Sequence, residues 1–233
     1  MRILAFETSA KAASVAIVED GMLLGEYFQN NGQTHSRTIM KMAEDLLRNC
    51  ELSVQDIDAA AVAAGPGSFT GVRIGMAAAK GFAWGREIPL IGVSTLEAMA
   101  KNAAACDGVY CAAMDARRQQ VYAAVFECCD GKLLRLMEDS AIAISDLRKV
   151  LETVEKDKFL VGDGAQLCYN NLEDVKRLYL LPEHVRMQRA AGVALLAWEC
   201  VQAGDLPAAS AVVPNYLRLS QAERERLKKT EME

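Results

Sequence analysis

The sequence predicts an α/β protein made of two β-β-β-α-β-α units in tandem. Three observations carry that expectation. Two hairpins, over residues 3–18 and 109–126, run apolar, polar, apolar, and each closes on an Asp-Gly pair, Asp20-Gly21 and Asp130-Gly131. After each hairpin come a third strand, an amphipathic helix and a short buried strand entering a glycine-rich turn, Gly65-Pro66-Gly67 in one half and Gly162-Asp163-Gly164 in the other. The two halves keep this order over roughly 100 residues each, and a repeat of that size constrains a fold more than any one motif.

Residues 3–6 and 13–18 are strands around the polar turn Glu7-Thr8-Ser9-Ala10-Lys11, and 22–28 make the third strand. From 35 to 50, Ile39, Met42, Ala43, Leu46, Leu47 and Cys50 recur at helical spacing, with Thr34 or Ser36 as the cap. Residues 53–56 read as a helical turn. Residues 59–64 are small and apolar throughout, as in a strand buried on both faces. Gly65-Pro66-Gly67 then forces a tight turn, and Ser68 or Thr70 caps a helix reaching about residue 85. Residues 87–94 form a short strand or loop, and 95–105 a connecting helix capped by Ser94 or Thr95.

The second half begins with strands at 109–114 and 121–126 around Asp115-Ala116-Arg117-Arg118-Gln119-Gln120, followed by a third strand at 132–138. A helix over 145–154, capped by Ser145 and Asp146, leads to a strand at 159–161. Residues 190–204 form a strongly apolar helix, Pro207 opens a further short segment, and the charged stretch 220–233 is a tail expected to fray. The division expected is an N-terminal subdomain 1–105, a C-terminal subdomain 106–219 and the tail 220–233.

Composition narrows the function. Apolar residues at 52% and charged residues at 24% describe a globular chain with length for a real core. A formal charge of −5 argues against binding nucleic acid alone through a broad basic surface. With no 18-residue apolar run and no basic-then-apolar leader, we expect neither a membrane span nor a signal peptide, which leaves the cytoplasm. The seven cysteines form no C-x-x-C pair, and His35 and His184 are the only histidines, so neither a disulfide framework nor a metal centre is expected.

The turn Gly65-Pro66-Gly67-Ser68-Phe69-Thr70-Gly71 admits two readings: an anion cradle at a helix N-terminus, or a sharp entry that aims a helix. It fits neither the P-loop nor the dinucleotide pattern. Two β-β-β-α-β-α units facing each other resemble the actin, Hsp70 and sugar-kinase superfamily, in which the first hairpin turn of each half approaches phosphate. The corresponding candidates here are Thr8 and Ser9 in one turn and Asp115, Arg117 and Arg118 in the other, but the first turn lacks the glycine that lets backbone approach an anion. Thr8 and Ser9 equally well satisfy the hairpin backbone, and the arginines equally well sit in solvent. The helix after the glycine-rich turn carries Gly71, Gly75, Ala78 and Ala79 along one broad side and Arg73, Ile74, Ala77 and Lys80 on the rest. Beside the helix from His35, with its Met40 and Met42, it offers a helical interface.

The stretches Ile3-Leu4-Ala5-Phe6-Glu7-Thr8-Ser9, Gly65 to Arg73, Met114-Asp115-Ala116-Arg117-Arg118 and Pro214-Asn215-Tyr216-Leu217-Arg218 together resemble the bacterial TsaB family, also called YeaZ. They span nearly the whole chain in order. The resemblance implies a non-catalytic subunit in making threonylcarbamoyladenosine at the tRNA adenosine 3′ of the anticodon. Its implied partners are the catalytic paralogue TsaD, the accessory ATPase TsaE, a second copy of itself when alone, and tRNA only through the complex. The paralogue's metal-binding helix carries two histidines four residues apart. Here His35 is followed at that spacing by Ile39, so neither a metal nor metallopeptidase activity is expected, and no cofactor is called for. The family further implies a partner interface on the helices near 35–50 and 70–85, where we place His35, Ile39, Met42, Thr70, Arg73, Ile74 and Ala77. The alternative is a nucleotide-binding ATPase or small phosphotransferase of the superfamily.

Overall fold

A computed structural model describes residues 1–204 and 209–218. The chain opens with the antiparallel strands β1 (Arg2–Glu7), β2 (Ala13–Glu19) and β3 (Met22–Gln29). At the β2–β3 corner Asp20 and Gly21 both hold positive φ, 48° and 83°, and Asp130 and Gly131 repeat this at 51° and 73°. Two consecutive left-handed residues give the hairpin turn whose twist matches its strands, which is why Asp-Gly marks both corners.

Helix α1 (His35–Asn49) and a 3₁₀ turn (Val54–Asp56) return the chain to β4 (Ala59–Gly65), parallel to β1, and α2 (Phe69–Arg86) leads to β5 (Leu90–Ser94). Helix α3 (Thr95–Ala103) crosses to the second half, which lays down β6 (Gly108–Asp115), β7 (Gln120–Cys129), β8 (Lys132–Ala143), α4 (Ile144–Glu152), β9 (Lys158–Val161), α5 (Ala165–Asn171) and β10 (Leu178–Leu180). The first sheet runs β3-β2-β1-β4-β5 and the second β8-β7-β6-β9-β10, the same order. Both halves are thus β-β-β-α-β-α units in the actin-like arrangement. The short α6 (Glu183–Arg186) and α7 (Ala190–Gln202) complete the described chain.

Side-chain alternation splits the first sheet into two faces. Leu4, Phe6, Val15, Ile17, Ala60 and Val62 pack under α1 and α2. Ile3, Ala5, Ala16, Ala59, Ala61 and Ala63 form an alanine floor against α7, whose Ala190, Ala194 and Ala197 are fully buried there. This is why α7 is apolar nearly all round. It lies late in the chain, inside the expected subdomain 106–219, yet packs on β1, β2 and β4, so packing crosses the boundary near 105. Arg189 ties it to β3 through Glu26 at 2.7 Å.

Several helix starts follow their sequence signals. Ser68 accepts from the Gly71 amide and Ser94 from the Glu97 amide. Two do not. Thr34 precedes α1 without a side-chain cap, and α4 begins at Ile144 behind Ala143 rather than at Ser145 and Asp146, because β8 runs straight into it in extended backbone. Pro207 and the stretch 220–233 lie outside the described residues.

Candidate functional site: interlobe cleft and outer helix face

The two hairpin turns and the α2 entry face each other across a cleft of about 540 Å³. Ser9 and Lys11 line it from the first turn, Asp115 and Arg117 from the second, and Asp163 from the turn after β9. Pro66 to Thr70 close one side, and residues 215–218 cross its mouth. Of the candidate phosphate contacts, Ser9, Asp115 and Arg117 are therefore brought together. Thr8 and Arg118 are not among the lining residues.

Thr8 is 2% exposed, and its hydroxyl donates to the Gly71 carbonyl at 2.8 Å. A Cβ at Gly71 would lie 2.2 Å from the Thr8 carbonyl oxygen, and one at Gly75 2.4 Å from Thr8 Oγ1. The small-residue side of α2 thus docks on the chain's own first hairpin. Gly71→Ala should lower stability by about 2 kcal/mol, since overpacking against backbone leaves little room to relax. Thermal denaturation should show a Tm lower by roughly 4–8 °C, and an unchanged Tm would contradict the close approach.

Ser9 is tied up in the same turn. The Ser9 amide donates to Glu7 Oε1 at 2.5 Å, and the Ser9 carbonyl accepts from the Ser68 amide at 2.6 Å. Ser9 is fully buried, with no partner for its hydroxyl oxygen among the described residues. The Ser9 amide is therefore already bonded within the turn rather than offered to a phosphate. In the second turn Arg117, Arg118 and Gln119 all hold positive φ, 64°, 57° and 57°, and the Arg117 amide donates to Asp115 Oδ1 at 2.7 Å.

Beneath the cleft, Glu7 is 1% exposed with Oε2 unpartnered. Burial pushes its carboxyl up to about 7, against the pull of Ser9, and Asp163 across the cleft adds repulsion. Asp163 is itself raised by burial while accepting from Gln188 Nε2 at 2.6 Å.

The outer surface of the α1/α2 layer is the second candidate site. Ile39 and Met42, expected in a partner interface, are 1% and 8% exposed and belong to the core between the first sheet and α1 and α2. The apolar stripe that makes α1 a helix is its inner stripe. His35 is half-buried, and its Nε2 lies 2.8 Å from the Ala10 carbonyl, a contact that requires the Nε2–H form. Ile74 is half-buried and packs against the same core. Thr70, Arg73 and Ala77 do face outward. Sequence reasoning missed Trp84, 84% exposed, and Tyr216, 40% exposed. Trp84 lies two turns beyond Ala77, so helical spacing alone puts it on that side.

A family model described as TsaD, tRNA N6-adenosine threonylcarbamoyltransferase, matches residues 29–225. The tRNA threonylcarbamoyladenosine biosynthesis protein TsaB of Bacillus subtilis (strain 168) is 33% identical over 225 residues, 96% of each chain. Its Escherichia coli (strain K12) namesake is 34% identical over 221 residues, 94% of this chain and 95% of that one. Among solved structures, YeaZ from Pseudomonas aeruginosa superposes with a TM-score of 0.76 at 26% identity, covering 93% of this chain and 99% of that one. Matched at 33% and 34% identity over nearly the whole length of those relatives, this chain belongs to the TsaB (YeaZ) family.

Proposed function

We propose that this chain acts in tRNA threonylcarbamoyladenosine biosynthesis as a non-catalytic subunit that docks the catalytic paralogue TsaD through the outer face of α1 and α2. One observation carries the reading. In the first hairpin turn Thr8 and Ser9 are already bonded to Gly71 and Glu7, while a helix face centred on Ala77 and Trp84 is left open to solvent. An aromatic side chain that exposed, beside small residues, is what the centre of a protein interface needs. In this reading the chain pairs with itself when the paralogue is missing, TsaE joins the assembled complex, and tRNA is met through that complex in the cytoplasm. The division at residue 105 then separates a docking subdomain from a supporting one. Among the described residues no helix is long and apolar enough to cross a membrane.

The test is reconstitution. The purified chain alone should leave unmodified tRNA unchanged and should raise threonylcarbamoyl incorporation several-fold when the paralogue is added. Calorimetry of the isolated chain with ATP and Mg²⁺ should give no tight binding. Tight binding with turnover would establish the nucleotide-hydrolysing alternative instead.

A further inference from the structure

At the N-terminal end of the open α2 face, Arg73 is held in an aromatic clasp. Its guanidinium lies 3.8 Å from the centroid of the Phe69 ring, one turn back on the same helix, and 5.6 Å from that of Tyr216. The two rings pack at 4.7 Å, and Arg73 Nε donates to Tyr216 Oη at 2.8 Å. Tyr216 cannot drift, because the strap that carries it is pinned on both sides. The Asn215 amide donates to the Ala64 carbonyl at 2.7 Å, and Arg218 Nη1 donates to the Ala116 carbonyl at 2.8 Å. Among the described residues the two terminal nitrogens of Arg73 have no hydrogen-bond partner.

A planar fork fixed by stacking and by its Nε, with its outer edge free, matches a carboxylate bidentately, and the usual ordering cost is already met by the clasp. The charge around it points the same way. Helices α1 and α2 carry six Lys or Arg against two Asp or Glu, a net +4 in a chain of −5. Those two acids, Glu44 and Asp45, are paired with Lys41 and Arg48 on α1. Arg37 and Lys80, like the fork of Arg73, have no acidic partner among the described residues.

We propose that the α1/α2 face receives an acidic protein surface and that Arg73, preset by Phe69 and Tyr216, clamps one Asp or Glu carboxylate of that partner. This rests on the docking reading above and adds what the partner must present. A protein rather than a nucleic acid is favoured because exposed Trp84, Met40 and Ala77 share the face, an apolar centre that a phosphate backbone does not fill.

Calorimetric titration of the full chain with its TsaD-family paralogue, at about 50 and about 300 mM salt, tests it. Wild type should bind more weakly at the higher salt. Arg73→Ala should weaken binding about thirtyfold and flatten the salt dependence, while Arg73→Lys, which keeps the charge but loses the fork, should still be weaker by about tenfold. Tyr216→Phe, which removes only the hydroxyl that holds Nε, should cost about threefold to fivefold. Circular dichroism and Tm of each variant establish that the fold persists. Were Arg73→Ala to bind like wild type while Trp84→Ala abolished binding, docking would stand and the carboxylate clamp would fall. No binding by wild type would overturn both. Binding of tRNA by the isolated chain that is lost in Arg73→Ala would assign the fork to phosphate and overturn the proposal.

Discussion

Ala77→Glu should abolish co-purification with the catalytic paralogue while leaving the isolated chain folded. Ala77 is exposed in the middle of the outward side of α2 and takes no part in the core beneath it. A glutamate there costs the monomer only the small Ala-to-Glu difference in helix propensity, a few tenths of a kcal/mol. In a docked complex the same carboxylate is buried without a partner and, if the opposing face is acidic, also repelled, a loss on the order of 3–4 kcal/mol or several hundredfold in affinity. Ile74→Glu is the poorer probe, since Ile74 packs against the first core and the variant would lose stability before it lost binding. Undiminished co-purification by a folded Ala77→Glu chain would remove α2 from the interface.

Glu7→Gln should make the protein more stable in mild alkali and leave it unchanged in acid. The folded-state pKa of Glu7 lies near 7, above its ordinary 4.5, because burial disfavours the charged form. A group raised on folding contributes stability that is whole below its unfolded pKa and is lost as pH climbs through its folded value. By pH 8 the wild type therefore carries an ionised, buried carboxylate at a cost of about 3 kcal/mol. Glutamine keeps an oxygen to accept the Ser9 amide and removes the charge. Urea unfolding at pH 5 and pH 8 should show the midpoints of the two proteins converging at the lower pH and separating at the higher. Asp163, raised in the same sense, leaves some pH dependence in the variant. Parallel curves at both pH values would mean that Glu7 is not the buried acid it is taken to be.

Much of the fold was legible because it is written locally. The Asp-Gly corners, the uninterrupted apolar run of β4 and the serines ahead of α2 and α3 are each decided within a few residues, and each is found where the pattern puts it. The candidate sites were less legible because they depend on contacts between distant segments. Whether Thr8 is free for a ligand is settled by Gly71, 63 residues away. Helical spacing shows that Ile39 and Met42 share a stripe but not whether a sheet or a partner covers it; here the sheet does. In α2 small residues lie on both sides, so amphipathicity gives little direction, and the inward side is chosen by the fit of Gly71 and Gly75 on Thr8. The three-residue β10 carries too short a pattern to be read at all.

The alanine floor of the first sheet bears on how the protein is made. Its covering helix, α7, begins at Ala190, well after the last strand of that sheet ends at Ser94. On the ribosome the N-terminal half therefore emerges with its upper side sealed by α1 and α2 and its lower side bare, and it stays so while the whole second unit is synthesised. The alanines of β1, β2 and β4 limit the apolar area exposed in that interval. The late helix then fastens residues 190–202 onto the first strands in one core, so truncation at the repeat boundary should leave a half-packed sheet rather than an independent domain.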